Sequence, residues 1–355
     1  MGEMSNGKAV VVITMLFLAI ALLSLARDGS AQIVRVSPDP VSPGGAASAD
    51  RRFQGGREDW TSPALAGSNL KPLPPVAGFV ADNPHCTVEL LQLQWRGGDP
   101  IDVYVMKPKG VKNPPVILYL YGYPTNTDIF RSDDYEELVT KKGVAAVGFV
   151  SALTGHRYHD RPMKQWFLSE LQESLATSAH DVQMVLNYLQ ARGDLDMNRV
   201  GMFAQGSGAT IAILASAVDA RIKVLEALDP WGDWPTWLAT SRFVPTDERA
   251  LYVTPEFLKK VSTLEPVEWL PKIQARRFRL DDDLFDTTTP KTAQDRLRAV
   301  APAGGNLMLY KNMDEFNAAF GEGRNLEWIQ HELQSLPTPA ASSNSSGADA
   351  AVSRR

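Results

Sequence analysis

The 355-residue sequence contains one cysteine, Cys86, so it cannot form an intrachain disulfide and its stability has to come from a packed core. It has no surplus of positive charge. The formal net charge is −5 with 22% charged residues, which leaves no basic face to hold nucleic acid. It has no glycine loop of the phosphate-cradling type and no residues at zinc-ligand spacing, so no dinucleotide, metal or other cofactor is expected. No internal repeat is present. Histidine is scarce: His85, His156, His159, His180 and His331 are all there are, which makes the search for a general base short.

What stands out is the stretch Arg199-Val200-Gly201-Met202-Phe203-Ala204-Gln205-Gly206-Ser207-Gly208-Ala209. It reads as a strand running into a helix through a very sharp turn. Such a turn needs small residues two before and two after its tip, because side chains there collide. A tip at Gly206 puts Ala204 and Gly208 at those positions, whereas a tip at Ser207 puts Gln205 at one of them. The register therefore favours Gly206.

The turn resembles the nucleophile elbow of the α/β-hydrolase superfamily, in the branch that contains dienelactone hydrolases, acetyl xylan esterases and the catalytic domains of prolyl oligopeptidases. The resemblance covers roughly residues 84–335. It implies a serine or cysteine at the tip, and glycine stands there instead, a residue that keeps the turn and deletes the nucleophile. In the family pattern G-x-x-D-x-x-x-P the acid is Asp286, four before Pro290, while Asp283 stands at the glycine position. The histidine implied after the last strand, 306–310, is absent; Lys311-Asn312-Met313-Asp314-Glu315-Phe316 follows.

The five histidines can be weighed as replacements. His331 lies in a C-terminal helix over 324–336, His180 on a long helix, and His85 before the first strand, none of them placed for the site. His156 and His159 follow the strand 144–150 at the carboxyl end of the sheet, where ligands bind in such folds, and are candidate pocket residues. Ser207 has two readings: a cap for the following helix, or a shifted nucleophile that needs a base in reach.

The rest of the chain reads as α/β. Runs at 87–95 and 101–106, joined by Arg96-Gly97-Gly98-Asp99-Pro100, predict an opening antiparallel hairpin. The apolar run 115–121 suits a strand buried on both faces and ends at Tyr121-Gly122-Tyr123-Pro124, where the resemblance implies His-Gly and an oxyanion-hole donor. Helices are expected over 133–142 and 169–192. The alternation of strand and helix argues for a mostly parallel, doubly wound sheet. An insertion at about 230–272 is expected to form a small lid. Its Trp231, Trp234 and Trp237 either offer a ligand a flat apolar wall or seal the lid by ordinary packing. Asp281, Asp282, Asp283, Asp286, Asp314 and Glu315 are expected on solvated acidic loops, with binding of a cation or basic ligand as the other reading. Tyr121, Gly122, Tyr123, His156, His159, Trp231 and Glu315 are the candidate pocket residues.

Lys8 precedes an apolar run over 9–26, followed by Gly29 and Ala31 at the small positions of a signal-peptidase site before Gln32. Residues 1–31 are therefore a cleaved export signal or an uncleaved membrane anchor, and both readings place the body outside the cytoplasm. Residues 32–80, rich in proline and glycine, read as a flexible spacer, 81–336 as the α/β domain, and 337–355 as a disordered tail. Two functions follow: an exported non-catalytic module that binds a small molecule or peptide, or an active carboxylester or peptide hydrolase with a rearranged site built on Ser207.

Overall fold

The computed structural model describes residues 58–337, apart from 126, 154–156 and 158–166. Nine strands form one sheet in the order β1-β2-β3-β5-β4-β6-β7-β8-β9. They are β1 (Val76–Asp82), β2 (Cys86–Leu93), β3 (Ile101–Pro108), β4 (Pro115–Leu120), β5 (Ala145–Gly148), β6 (Asp196–Gln205), β7 (Ile222–Leu228), β8 (Arg277–Asp283) and β9 (Asn306–Tyr310). The pairings β1·β2, β2·β3 and β3·β5 are antiparallel, and all five from β4·β5 to β8·β9 are parallel. Parallel strands need crossovers that cover both faces of the sheet. Helices α1 (Asp133–Thr140), α2 (Leu171–Arg192) and α3 (Ser207–Val218) supply them on the left half, and α8 (Lys291–Val300) joins β8 to β9.

Strand β4 shows how the sequence divides the core in two. All six of its residues are buried, and they alternate in direction with the two-residue period of a strand. Val116, Leu118 and Leu120 pack with α2 and α3, whereas Ile117 and Tyr119 pack with Tyr135 and Val139 of α1 and with Ile329 of the C-terminal helix α10 (Arg324–Ser335).

Two expectations change here. The opening hairpin has a third strand: β1, with its partner positions Ala81↔Val88 and Asp82↔Thr87, comes from the end of the segment expected as a spacer. The described part of that segment is also held down upstream of β1. The Glu58 carboxylate accepts from Arg96 and lies 2.6 Å from His180 Nδ1, Leu65 N donates to Gln183 Oε1, and Leu73 N donates to the Gln94 carbonyl. His180 is thus a buried clamp for the chain before β1. Proline and glycine in Lys71-Pro72-Leu73-Pro74-Pro75-Val76-Ala77-Gly78 mask the strand, because such residues are tolerated at a sheet edge without marking it. The export signal or anchor, most of the spacer, and the tail beyond 337 lie outside the described residues. Among the described residues, no helix is long and apolar enough to cross a membrane.

The insertion between β7 and β8 folds as four short helices, α4 (Trp234–Thr240), α5 (Arg249–Tyr252), α6 (Pro255–Val261) and α7 (Pro266–Trp269). Its apolar residues Leu238, Val244, Val261 and Leu264 join the same cluster as α2 and α3, so the insertion is part of the core rather than a loose cover. Helix α9 (Met313–Gly321) then precedes α10.

Candidate functional site

The chain leaves β6 at Gln205, turns at Gly206 and enters α3 at Ser207. Gly206 has φ +56° and ψ −125°, a conformation that glycine adopts far more readily than residues with a side chain. Its N–H donates to the Leu228 carbonyl at the end of β7. The turn is pressed against the end of β4: a Cβ on Gly208 would lie 2.1 Å from the Leu120 carbonyl oxygen, and one on Gly122 would lie 2.7 Å from the Gln205 carbonyl oxygen. Among the described residues, a Cβ on Gly206 itself would meet Trp231 Nε1 at 3.6 Å and Gly122 Cα at 3.7 Å, which is ordinary contact. Among the described residues, then, nothing crowds a side chain at the tip, and none is there.

Ser207 is fully buried, and its Oγ accepts from the Tyr123 N–H at 2.9 Å. It does not cap α3, whose N-terminus has no side-chain cap; the hydroxyl instead ties the 121–125 turn to the helix start. Two consequences follow. A Ser207 hydroxyl used in this way is not aimed at solvent, and the Tyr123 N–H, which sits in the turn where an oxyanion-hole donor is implied, is already engaged.

The wall beside the tip is aromatic. Trp231 stacks on Trp237 at 4.7 Å, Phe243 lies 5.3 Å from Trp231, and Tyr123 meets Phe243 edge-on at 5.9 Å. Trp231, Trp234 and Trp237 are at most 1% exposed, so the three tryptophans pack the insertion onto the sheet, and the faces left half-buried belong to Tyr123 and Phe243. Sequence reasoning missed Phe243, since nothing in its neighbourhood marks it. Tyr121 is corrected as a pocket residue: it is buried in a cluster with Phe130, Tyr135 and Phe203, and its hydroxyl pairs with that of Tyr135 at 3.0 Å. Burial pushes that phenol well above its usual range.

No histidine stands directly after β9, in 311–316. Asn312 Oδ1 accepts from Glu315 N and Glu315 Oε2 accepts from Lys311 N, both at 2.9 Å, so the segment is spent on capping the start of α9. Glu315 is exposed there and is corrected from pocket residue to helix cap. Of the described histidines, His85 and His331 are exposed beside Glu137 and Glu332, and His180 clamps Glu58. His156 and His159 lie outside the described residues.

The acidic residues differ most from expectation. Asp281, Asp282 and Asp283 are not on a solvated loop; they are the last residues of β8 and are 1%, 1% and 8% exposed. Asp281 pairs with Arg279, and Asp282 with Arg298 of α8. Asp283 N donates to Asp229 Oδ1 at 2.7 Å, which joins the ends of β7 and β8 one residue from Leu228, the acceptor for the tip. Asp229 is a residue that sequence reasoning missed; it adopts φ +47° immediately after β7. Asp286 follows on the same loop and folds back on itself, accepting from Thr288 N at 2.7 Å and Thr289 N at 2.9 Å.

Burial raises these carboxyls: Asp281 and Asp282 to about 6, and Asp283 to about 7, where the Asp286 charge adds to desolvation. Asp229 is raised well above its usual range by desolvation and by the charges of Asp283 and Asp286. A carboxyl raised on folding stabilises the native state fully below its unfolded value, and that stability is lost as pH rises through the folded value. On α2, Asp181 runs the other way. Although burial opposes it, Arg157 and Arg96 pull it to about 2, so its contribution is present above about 4 and is lost as pH falls towards 2. The melting temperature is therefore expected to peak near pH 4–5 and to fall by roughly 5–15 °C by pH 7.5. Circular dichroism melts from pH 3 to 8 check this, and a maximum at or above pH 7 contradicts it.

No protein-family model matches the chain. A Bacillus subtilis (strain 168) protein named "Putative hydrolase YtaP" is 26% identical over 154 residues, which take in 39% of this chain. The chain spans half the length of that protein. Among solved structures, an acetyl xylan esterase from Paenibacillus sp. R4 superposes with a TM-score of 0.57 at 20% identity, covering 74% of this chain and 89% of that one. Acetyl xylan esterase 1 from Thermoanaerobacterium sp. JW/SL YS485 gives 0.56 at 14% identity, with 76% and 90% covered. A 2,6-dihydroxy-pseudo-oxynicotine hydrolase gives 0.52 at 19% identity, with 70% and 67% covered.

Proposed function

We propose that this chain, which has the α/β-hydrolase fold, is a non-catalytic module that binds a ligand at the bare elbow instead of hydrolysing it. The observation that carries the reading is Gly206 itself. It sits at the tip in the backbone conformation of an elbow, one that strains any residue with a side chain, and no nucleophile stands there. Three features support it. Ser207 is buried and bonded to Tyr123 N, Asp286 is turned back onto Thr288 and Thr289, and a helix cap stands where a histidine is implied. A nucleophile without a base is weak at neutral pH, so the loss is of a set rather than of one residue. The module is exported, on the strength of Lys8 and the apolar run 9–26 that precede the spacer.

Restoring the tip alone tests this. Gly206→Ser in the full chain is expected to fold and to hydrolyse p-nitrophenyl acetate at the rate of the unsubstituted protein. A rise of about 100-fold or more, the least that a positioned base contributes, overturns the claim that the base is gone.

A further inference from the structure

The sheet has two edges, and the chain treats them differently. At β1 the pairing with β2 shifts register between Ala77 and Phe79, Pro74-Pro75 stands just before the strand, and Asp82 at its end pairs with Lys109. A bulge, a proline and a charge are devices that keep an edge from pairing with another chain. β9 has none of them. Asn306-Leu307-Met308-Leu309-Tyr310 holds no charge and no proline, and its register with β8 runs unbroken from Arg279↔Asn306 to Asp283↔Tyr310. The strand also leaves apolar side chains in the open: Leu307 is 52% exposed and Met308 39%.

One bond shows which way the strand faces. Leu284 N donates to the Tyr310 carbonyl, so the backbone groups of Tyr310 turn towards β8, and by the alternation of a strand those of Met308 and Asn306 do too. The N–H and C=O of Leu307 and Leu309 therefore point away from the sheet, and among the described residues nothing meets them. The free stretch has sharp ends, since Gly305 N donates to the Pro302 carbonyl and Lys311 N to Glu315 Oε2. What lies between is symmetric. Laid antiparallel to a second β9 about Met308, Leu307 falls opposite Leu309, and Met308 falls opposite itself, so apolar meets apolar at the centre. Lys311 falls opposite Gly305, so the strands oppose no like charges.

We propose that β9 is an interface between two copies of this chain, which join antiparallel about a two-fold axis at Met308 into one continuous sheet. Such an interface is isologous, with the same residues serving on both sides. Leu307 of one protomer exchanges both backbone bonds with Leu309 of its partner, and the reverse. The two Met308 residues form the non-hydrogen-bonded pair between them, where side chains come closest. So short a ladder makes a reversible dimer, in the micromolar range, rather than a permanent one. The surface is separated from the elbow at the end of β6 by β7 and β8, so it stands whether or not a ligand binds at Gly206.

Sedimentation velocity on the full chain tests this, beside Met308→Lys and Met308→Glu, which change a side chain that the fold leaves half-exposed. The parent is expected to sediment as a dimer that dissociates on dilution. Each variant alone is expected to dimerise at least about ten-fold more weakly, because like charges then face each other across the axis, and an equimolar mixture of the two is expected to recover the dimer. Met308→Cys gives a second readout that does not depend on the charged variants folding. Opposed Cα atoms in such a pair lie about 4.5 Å apart, within disulfide reach, so oxidised glutathione, taking up two electrons and two protons, is expected to link the two thiols across the axis. Cys86 is 1% exposed and does not compete, and Leu251→Cys, at the exposed Leu251 of α5, is the control expected to cross-link little. A parent that stays monomeric at high concentration, a dimer that survives both charged variants, as association through the apolar run 9–26 would, or equal cross-linking at 308 and 251 overturns the proposal.

Discussion

Gly208→Ala is expected to destabilise the protein by at least about 3 kcal/mol and to leave little folded chain, although it adds a single methyl group. The methyl carbon would lie 2.1 Å from the Leu120 carbonyl oxygen and 2.8 Å from its carbon. Both are backbone atoms of β4, the strand at the middle of the sheet, so no flexible side chain can yield. The start of α3 has to move away from β4 or the turn has to open, and either change also strains the Tyr123 N–H bond to Ser207. Gly206→Ala is the internal contrast. Among the described residues its Cβ meets only ordinary contacts, and the expense is the backbone conformation at φ +56°, ψ −125°, about 1–3 kcal/mol. Urea melts of the two variants beside the parent measure the difference. Equal destabilisation would mean that the elbow is not packed against β4 as described.

Arg279→Met is expected to cost about 3–5 kcal/mol, because it strands two buried carboxyls. The Arg279 guanidinium donates to Glu226 Oε1 at 2.6 Å and to Asp281 Oδ2 at 3.0 Å, it also donates to the Asn325 carbonyl, and it lies over the Trp328 ring at 5.0 Å. Glu226 and Asp281 are 0% and 1% exposed; desolvation raises both, and the Asp281 charge adds to the rise at Glu226. Burial already holds Glu226 far above the usual carboxyl range with the arginine present. Without it both acids are pushed higher. Since a raised carboxyl loses stability as pH rises, the damage is expected to be greatest at pH 8 and to shrink below about pH 4. Methionine retains the alkyl packing against Trp328, so a loss that ignores pH would point to packing rather than charge. Adding Glu226→Gln and Asp281→Asn to Arg279→Met is expected to recover most of the stability, as replacing a whole buried ion cluster often does.

The elbow was legible in the sequence because its constraint is local. Ala204, Gly206 and Gly208 are small at fixed spacing, and only one register fits. The parallel sheet was legible for a related reason, since runs such as 115–121 are apolar at every position. The acid-rich end of β8 was not. Arg277-Phe278-Arg279-Leu280-Asp281-Asp282-Asp283 carries too much charge to read as a buried strand, and what permits the burial comes from elsewhere, with Arg298 arriving from α8 to meet Asp282. β1 was hidden by the prolines before it. Glu315 was misplaced because an acid near a vacant histidine position looks catalytic until the Asn312 cap is seen. Tyr121 was misplaced because the residue before Gly122 turns inward, into the cluster with Tyr135 and Phe203, and away from the tip.

Fluorophosphonate labelling tests the central claim most directly. The probe phosphonylates an activated serine, whose oxygen displaces fluoride from phosphorus, whatever the natural substrate. The full chain and a Ser207→Ala variant would be treated side by side and weighed intact by mass spectrometry. The account predicts no adduct on either protein, because Ser207 is buried under Tyr123 and nothing stands at the tip. A stoichiometric adduct on the parent that disappears with Ser207→Ala would contradict it and establish a working serine nucleophile one residue beyond the turn.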